Sequence, residues 1–74
     1  MAARNSLLAA PPYQVEQALK TFGANLRTAR LRRNLSIEDV AAKIGVGRHV
    51  VADAEKGKPS TGIAIYAGLL WAFD

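Results

Sequence analysis

Arg48, His49 and Asp53 fall within one six-residue span and carry the side chains of this chain best suited to reading a nucleic-acid base. A guanidinium can grip O6 and N7 of guanine through two hydrogen bonds, worth about 1–3 kcal/mol of discrimination. The same group can instead clamp a phosphate, which positions a duplex without reading its sequence. The residue pattern leaves both roles open for Arg48. His49, the only histidine, can contact a base through either ring nitrogen or stand as a plain surface residue. Asp53 would repel phosphates. It either accepts from cytosine N4 or restrains Arg48 or Lys56 on the same helix. Ala52 is small enough to meet a thymine methyl, or simply to leave clearance. Catalytic chemistry does not assemble here, because His49 has no cysteine, second histidine or convergent carboxylate at metal-ligand spacing. The chain has no cysteine at all, so no disulfide framework and no thiolate metal site. Ser36 and Ser60 read as helix caps rather than nucleophiles, and no glycine-rich phosphate loop is present. These residues point to a non-enzymatic protein with no cofactor.

Two short amphipathic helices must position that span. Ser36 to Lys56 reads as helix, tight Gly45-Val46-Gly47 turn, helix, with apolar residues at Val40, Ala41, Ile44, Val46, Val51 and Ala54. That spacing lets two helices cross steeply and share one small core. The second of them is predicted over about residues 48–56. Its inward face is Val51 and Ala54, which leaves Arg48, His49, Ala52, Asp53 and Lys56 outward and Val50 intermediate. An outward strip on a projecting helix of a basic domain is what the major groove admits. Ala41 lies where the two helices meet, so a larger side chain would force them apart. Ser36 is a good N-cap, with Glu38 and Asp39 favourably placed against the positive end of the helix. Asp39 stands where a capping box usually has Glu or Gln, so the box is expected to be partial.

Around this unit the chain reads as a small all-α bundle of four to five helices. Residues 1–12, with small residues and the Pro11-Pro12 pair, are expected to form a flexible tail, and residues 13–74 the domain. A first predicted helix opens near Pro12 or Tyr13 and carries the stripe Val15, Leu19, Phe22, Leu26, Ala29. Gly23 interrupts it, at about 1 kcal/mol relative to alanine, so it is either one long helix or two bending there. The last predicted helix, capped by Ser60 or Thr61, has the stripe Ile63, Tyr66, Leu69, Leu70, Phe73. Its other face would carry Ile65 and Trp71, a pair suggesting a covered surface for a second copy or another protein, unless Trp71 folds back onto the first helix. The stripe of Val15, Leu19 and Phe22 is a second candidate for that contact.

The net charge is +4, and Arg27, Arg30, Arg32 and Arg33 crowd into seven residues. Basic clustering suits a polyanion, nucleic acid first, or else a solvated surface. No apolar run approaches the roughly 20 residues that span a bilayer. No membrane partner and a cytoplasmic location are expected.

From Phe22-Gly23 to Phe73 the chain resembles the lambda-repressor/Cro-like helix-turn-helix domains, the Xre family. The matching residues are Leu26, Arg30, Leu35-Ser36, Ala41, Gly45, and Glu55-x-Gly57 with Pro59. The resemblance implies a lambda-repressor-like fold and a dimeric repressor on double-stranded DNA. It implies base-reading roles for Gly47, Arg48, His49, Ala52 and Asp53, and a salt bridge between Arg30 and Glu55. Gly47 departs from the family's usual Ser or Thr, which removes a hydroxyl contact. Arg27, Arg32, Arg33, Lys43, Lys56 and Lys58 are the phosphate candidates. The run GKPSTGIAIYAGLLWAF is further similar to HipB-like antitoxins, a resemblance that implies a toxin-like partner, a HipA-type kinase.

Overall fold

A computed structural model describes residues 6–74, and among them every regular element is helical. The order is α1 (Ser6–Ala9), α2 (Tyr13–Arg32), α3 (Ile37–Ile44), α4 (Arg48–Glu55) and α5 (Ile63–Ala72). The four helices expected from periodicity are α2 to α5. The single turn α1 lies inside the stretch expected to be a tail, and its Leu7 and Leu8 are exposed. Residues 1–5 of that stretch, Arg4 included, lie outside the described residues.

α2 is continuous through Gly23. Pro12 precedes it with φ −54° and ψ 151°, an extended entry that ends the Pro-Pro segment and starts the helix. Its far end closes on Asn34, at φ 57°. Asn34 N–H donates to the Leu31 carbonyl (3.0 Å) and Leu35 N–H to the Arg30 carbonyl (3.3 Å), the paired bonds of a left-handed helix stop. α4 stops in the same way at Gly57, φ 72°, with Lys58 N–H donating to the Asp53 carbonyl (3.1 Å).

Gly23 has a packing reason that periodicity does not carry. A Cβ there would lie 2.5 Å from the Glu55 carbonyl oxygen and 2.7 Å from that of Ala54. A Cβ on Gly57 would lie 2.4 Å from the Leu19 carbonyl oxygen. The backbone of α2 and the last turn of α4 therefore touch directly, through two glycines.

The core is one cluster: Leu26, Val40, Ala41, Val51, Ala54, Tyr66, Leu69, Ala72 and Phe73. α5 enters it differently from the expected stripe. Tyr66, Leu69 and Phe73 are buried, but Ile63 is 83% exposed and Leu70 55%. Ile65, expected on the outer face, is half-buried against the core. α5 is apolar on every side, so its spacing cannot select the buried face. Neither Ser60 nor Thr61 caps α5; Gly62 occupies the N-cap position without a side-chain bond.

Candidate nucleic-acid interface

α3 is set from its first residue. Asp39 N–H donates to Ser36 Oγ (2.9 Å), and Ser36 N–H donates to Asp39 Oδ2 (3.0 Å). The capping box is complete, not partial: the shorter aspartate reaches the cap backbone as well as glutamate would. The Ser36 backbone N–H, and after it the Ser36 hydroxyl, hold the Asp39 carboxyl below the usual carboxylate range. At the other end Gly45 takes φ 80°, and the N–H groups of Gly45 and Val46 both return to the Ala41 carbonyl at 2.9 and 3.0 Å. This closes α3 and turns the chain into α4 within three residues.

α4 is anchored from inside. Val51 and Ala54 have no exposed surface. Below them Arg30 of α2 crosses to Glu55, donating from Nε to Oε2 (2.7 Å) and from Nη2 to Oε1 (3.1 Å), while Nη1 donates to the Leu35 carbonyl (2.9 Å). Both side chains are buried. The hydrogen bonds to Glu55 raise the Arg30 pKa still further, outweighing the opposing effect of burial. One guanidinium thus joins α2, the entry to α3 and the end of α4.

The outer strip of α4 is not uniform. Gly47, Arg48 and His49 are exposed, whereas Ala52 and Asp53 are half-buried. Gly47 is extended (φ −73°), so glycine is not required by the backbone there. The His49 ring curls back so that a Cβ on Gly47 would meet its Cε1 at 2.9 Å, a contact with the end of an exposed side chain that a turn of the ring relieves. His49, Val50 and Asp53 line a hollow of about 290 Å³ with Ser60, Thr61, Gly62 and Ile65. Arg48 and Asp53 pair with groups from outside the helix. Arg48 Nε lies 3.2 Å from Glu38 Oε2, and Asp53 Oδ1 lies 3.3 Å from Lys58 Nζ.

The six basic residues named as phosphate candidates divide into three sets. Arg27, Arg32 and Lys56 are exposed and make no ion pair among the described residues. Lys58 faces Asp53. Arg33 and Lys43 are spent on α5: Arg33 Nε donates to the Phe73 carbonyl (2.6 Å) and Lys43 Nζ to the Ala72 carbonyl (3.1 Å). Each cation also lies over an aromatic ring, Arg33 over Phe73 at 5.6 Å and Lys43 over Trp71 at 5.2 Å. They neutralise the negative end of α5. Basic residues scattered 10 apart in sequence gave no sign of this shared target.

The residues named for a dimer or partner contact do not share one environment. Val15 is exposed, Leu19 half-buried, Ile65 turned toward the core, and Trp71 60% exposed beside Lys43. Leu70, not singled out for contact, lines a groove of about 380 Å³ between α2 and α5 with Phe22, Asn25, Leu26, Ala29 and Phe73. Among the described residues no group of three His, Asp or Glu side chains could hold a metal ion, and no helix is long and apolar enough to cross a membrane.

Two short helices across a three-residue turn, the second buried on its inner face and open on its outer one, make a helix-turn-helix. The chain belongs to the helix-turn-helix domain family, whose model matches residues 21–70. The match runs from the middle of α2 into α5 and contains the whole of α3 and α4. That family is a DNA-binding class. No curated protein and no solved structure matches the chain significantly.

Proposed function

We propose that the protein is a sequence-specific transcriptional repressor of the Xre type that reads the major groove of double-stranded DNA with α4. The observation that carries the reading is Arg48. It stands at the start of α4 with 70% of its side chain exposed, on a helix whose opposite face is fully buried. Arg48 is the base-reading residue, with His49 beside it and Gly47, Ala52 and Asp53 completing the strip. Arg27, Arg32, Lys56 and Lys58 are the cations available to phosphates. A single domain of this size binds weakly, so the working form is a homodimer on an inverted repeat, half-sites about 34 Å apart.

Selection of bound sequences from random duplex DNA tests this directly. An enriched inverted repeat is the expected result. Enrichment of nothing, at low ionic strength, would remove the reading. Arg48→Ala should then relax one base pair in each half-site; equal weakening on all sequences would make Arg48 a phosphate clamp instead.

A second reading is supported by the exposed Leu70 and Trp71 of α5. In it the domain is an antitoxin-type interaction module whose main task is to bind a partner protein, such as a HipA-like kinase toxin. Binding of such a partner would survive high salt, whereas duplex binding falls steeply as salt releases the phosphate contacts.

A further inference from the structure

We infer that Glu38 is a positioning residue for Arg48, and through it a determinant of which base α4 reads. The inference rests on the major-groove reading above. Glu38 lies in the first turn of α3, and Arg48 is the first residue of α4. The turn between the helices brings the Glu38 carboxylate to 3.2 Å from Arg48 Nε, with both side chains mostly exposed. The pair therefore stands at the rim of the strip and not in the core.

Which nitrogen is engaged matters. A guanidinium carries five N–H donors in a planar fork, one on Nε and four on the two terminal nitrogens. The contact is an ion pair rather than an aligned hydrogen bond: the carboxylate on the Nε side draws the guanidinium toward α3 and leaves the terminal pair of donors free. Two parallel donors on that outer edge are what guanine O6 and N7 accept. The charge of Glu38 acts in the same direction. A phosphate approaching Arg48 must also approach the carboxylate and is repelled by it. A guanine edge is neutral and is not. Glu38 is itself favoured where it stands, in the acidic first turn at the positive end of α3. Asp53 is likewise met from outside the helix by Lys58, so Arg48 and Asp53 each have an opposite charge beside them.

The test is a cycle of four full-length proteins: wild type, Glu38→Ala, Arg48→Ala and the double variant. Each is titrated by fluorescence anisotropy against the selected operator and against operators altered at each base pair in turn. Glu38→Ala should reduce discrimination at the base pair read by Arg48 by about fivefold, the low end of what a two-bond contact supplies. Its affinity for unrelated duplex should rise, since a negative charge has gone from the face. In the Arg48→Ala background Glu38→Ala should leave every base preference unchanged. Glu38→Gln keeps an oxygen for Nε without the charge and should retain more discrimination than Glu38→Ala. Full discrimination in Glu38→Ala would overturn the inference. So would an equal change in base preference when Arg48 is absent, because Glu38 would then act by another route. A wild type that selects no sequence at all would instead remove the major-groove reading itself, and that outcome is seen before any variant is made.

Discussion

Replacing Gly23 by alanine should destabilise the protein, although it puts a better helix former into the middle of a helix. Propensity alone gives alanine an advantage of about 1 kcal/mol. Against that, the new Cβ would stand 2.5, 2.7 and 2.8 Å from the Glu55 oxygen, the Ala54 oxygen and the Glu55 carbon. All three are backbone atoms, so no rotamer change relieves them, and ordinary contact begins at 3.4 Å. The end of α4 must retreat as a unit from α2. Overpacking a close contact costs about 1–3 kcal/mol and sometimes more, and a rigid backbone neighbour belongs at the upper end. The retreat also carries Glu55 away from Arg30, across bonds of 2.7 and 3.1 Å. The expected net loss is about 2 kcal/mol, after the helix gain is subtracted. For a domain of this size that lowers Tm by roughly 8–16 °C. Urea unfolding followed by far-ultraviolet circular dichroism measures it. Gly45 provides the comparison: its φ is 80°, but a Cβ there meets nothing within 4 Å. Gly45→Ala should cost only the left-handed strain, about 1–2 kcal/mol, without the clash. A Gly23→Ala protein as stable as the wild type would refute the reasoning, because it would mean α2 and α4 separate without penalty.

Three further outcomes follow from particular atoms. The Tyr66 hydroxyl is buried without a hydrogen-bond partner, and a buried orphan of this kind costs about 1–3 kcal/mol. Tyr66→Phe should therefore raise the urea midpoint with an unchanged slope, and a lower midpoint would show that the hydroxyl is satisfied. Glu55→Gln should cost about 3 kcal/mol by leaving the Arg30 charge buried and unpaired, while Arg30→Met with Glu55→Leu should cost less than either single change; an additive double variant would contradict that coupling. Asp39 is held below its ordinary range by bonds made only in the folded state, so its contribution is complete above the unfolded carboxylate value of about 3.9 and is lost as pH falls through the lower folded value. Asp39→Asn should be less stable than wild type at neutral pH, with the gap closing on acidification; a gap that persists into strong acid would place the effect elsewhere.

The helix-turn-helix was legible because its information is local. Ser36, Gly45 and the alternation of Val40, Ala41, Val51 and Ala54 are all decided within a few residues of where they act. The Asp39 bond, although underestimated, is equally local. What the pattern did not carry was contact at a distance. Gly23 reads as a flaw in α2 until the backbone of residues 54 and 55 is seen against it. In α5 the failure has a different cause. A segment apolar on all sides satisfies several helical stripes at once, and only the shape of the existing core turns Ile65 in and Ile63 and Leu70 out.

The same distinction decides what the net charge means. Counting basic residues treats each as a free cation, yet Arg30, Arg33 and Lys43 are engaged within the fold. Arg33 and Lys43 are the informative pair, because they are exposed enough to look available and their donors are already committed to the last carbonyls of α5. Counterion release measures the difference. Each phosphate neutralised on duplex DNA steepens the plot of log K against log salt by about 0.9. If all six candidates touched phosphates, the slope would approach about −5 per protomer; with only Arg27, Arg32, Lys56 and Lys58 available it should not exceed about −4. Arg33→Gln and Lys43→Gln give the sharper comparison. Each should leave the slope where it was and lower the thermal midpoint, since what is lost is a bond to α5 and a ring contact. A slope shallower by about 0.9 in either variant, at unchanged stability, would return that residue to the DNA face. It would also mean that the end of α5 is held by something other than the two cations now seen on it.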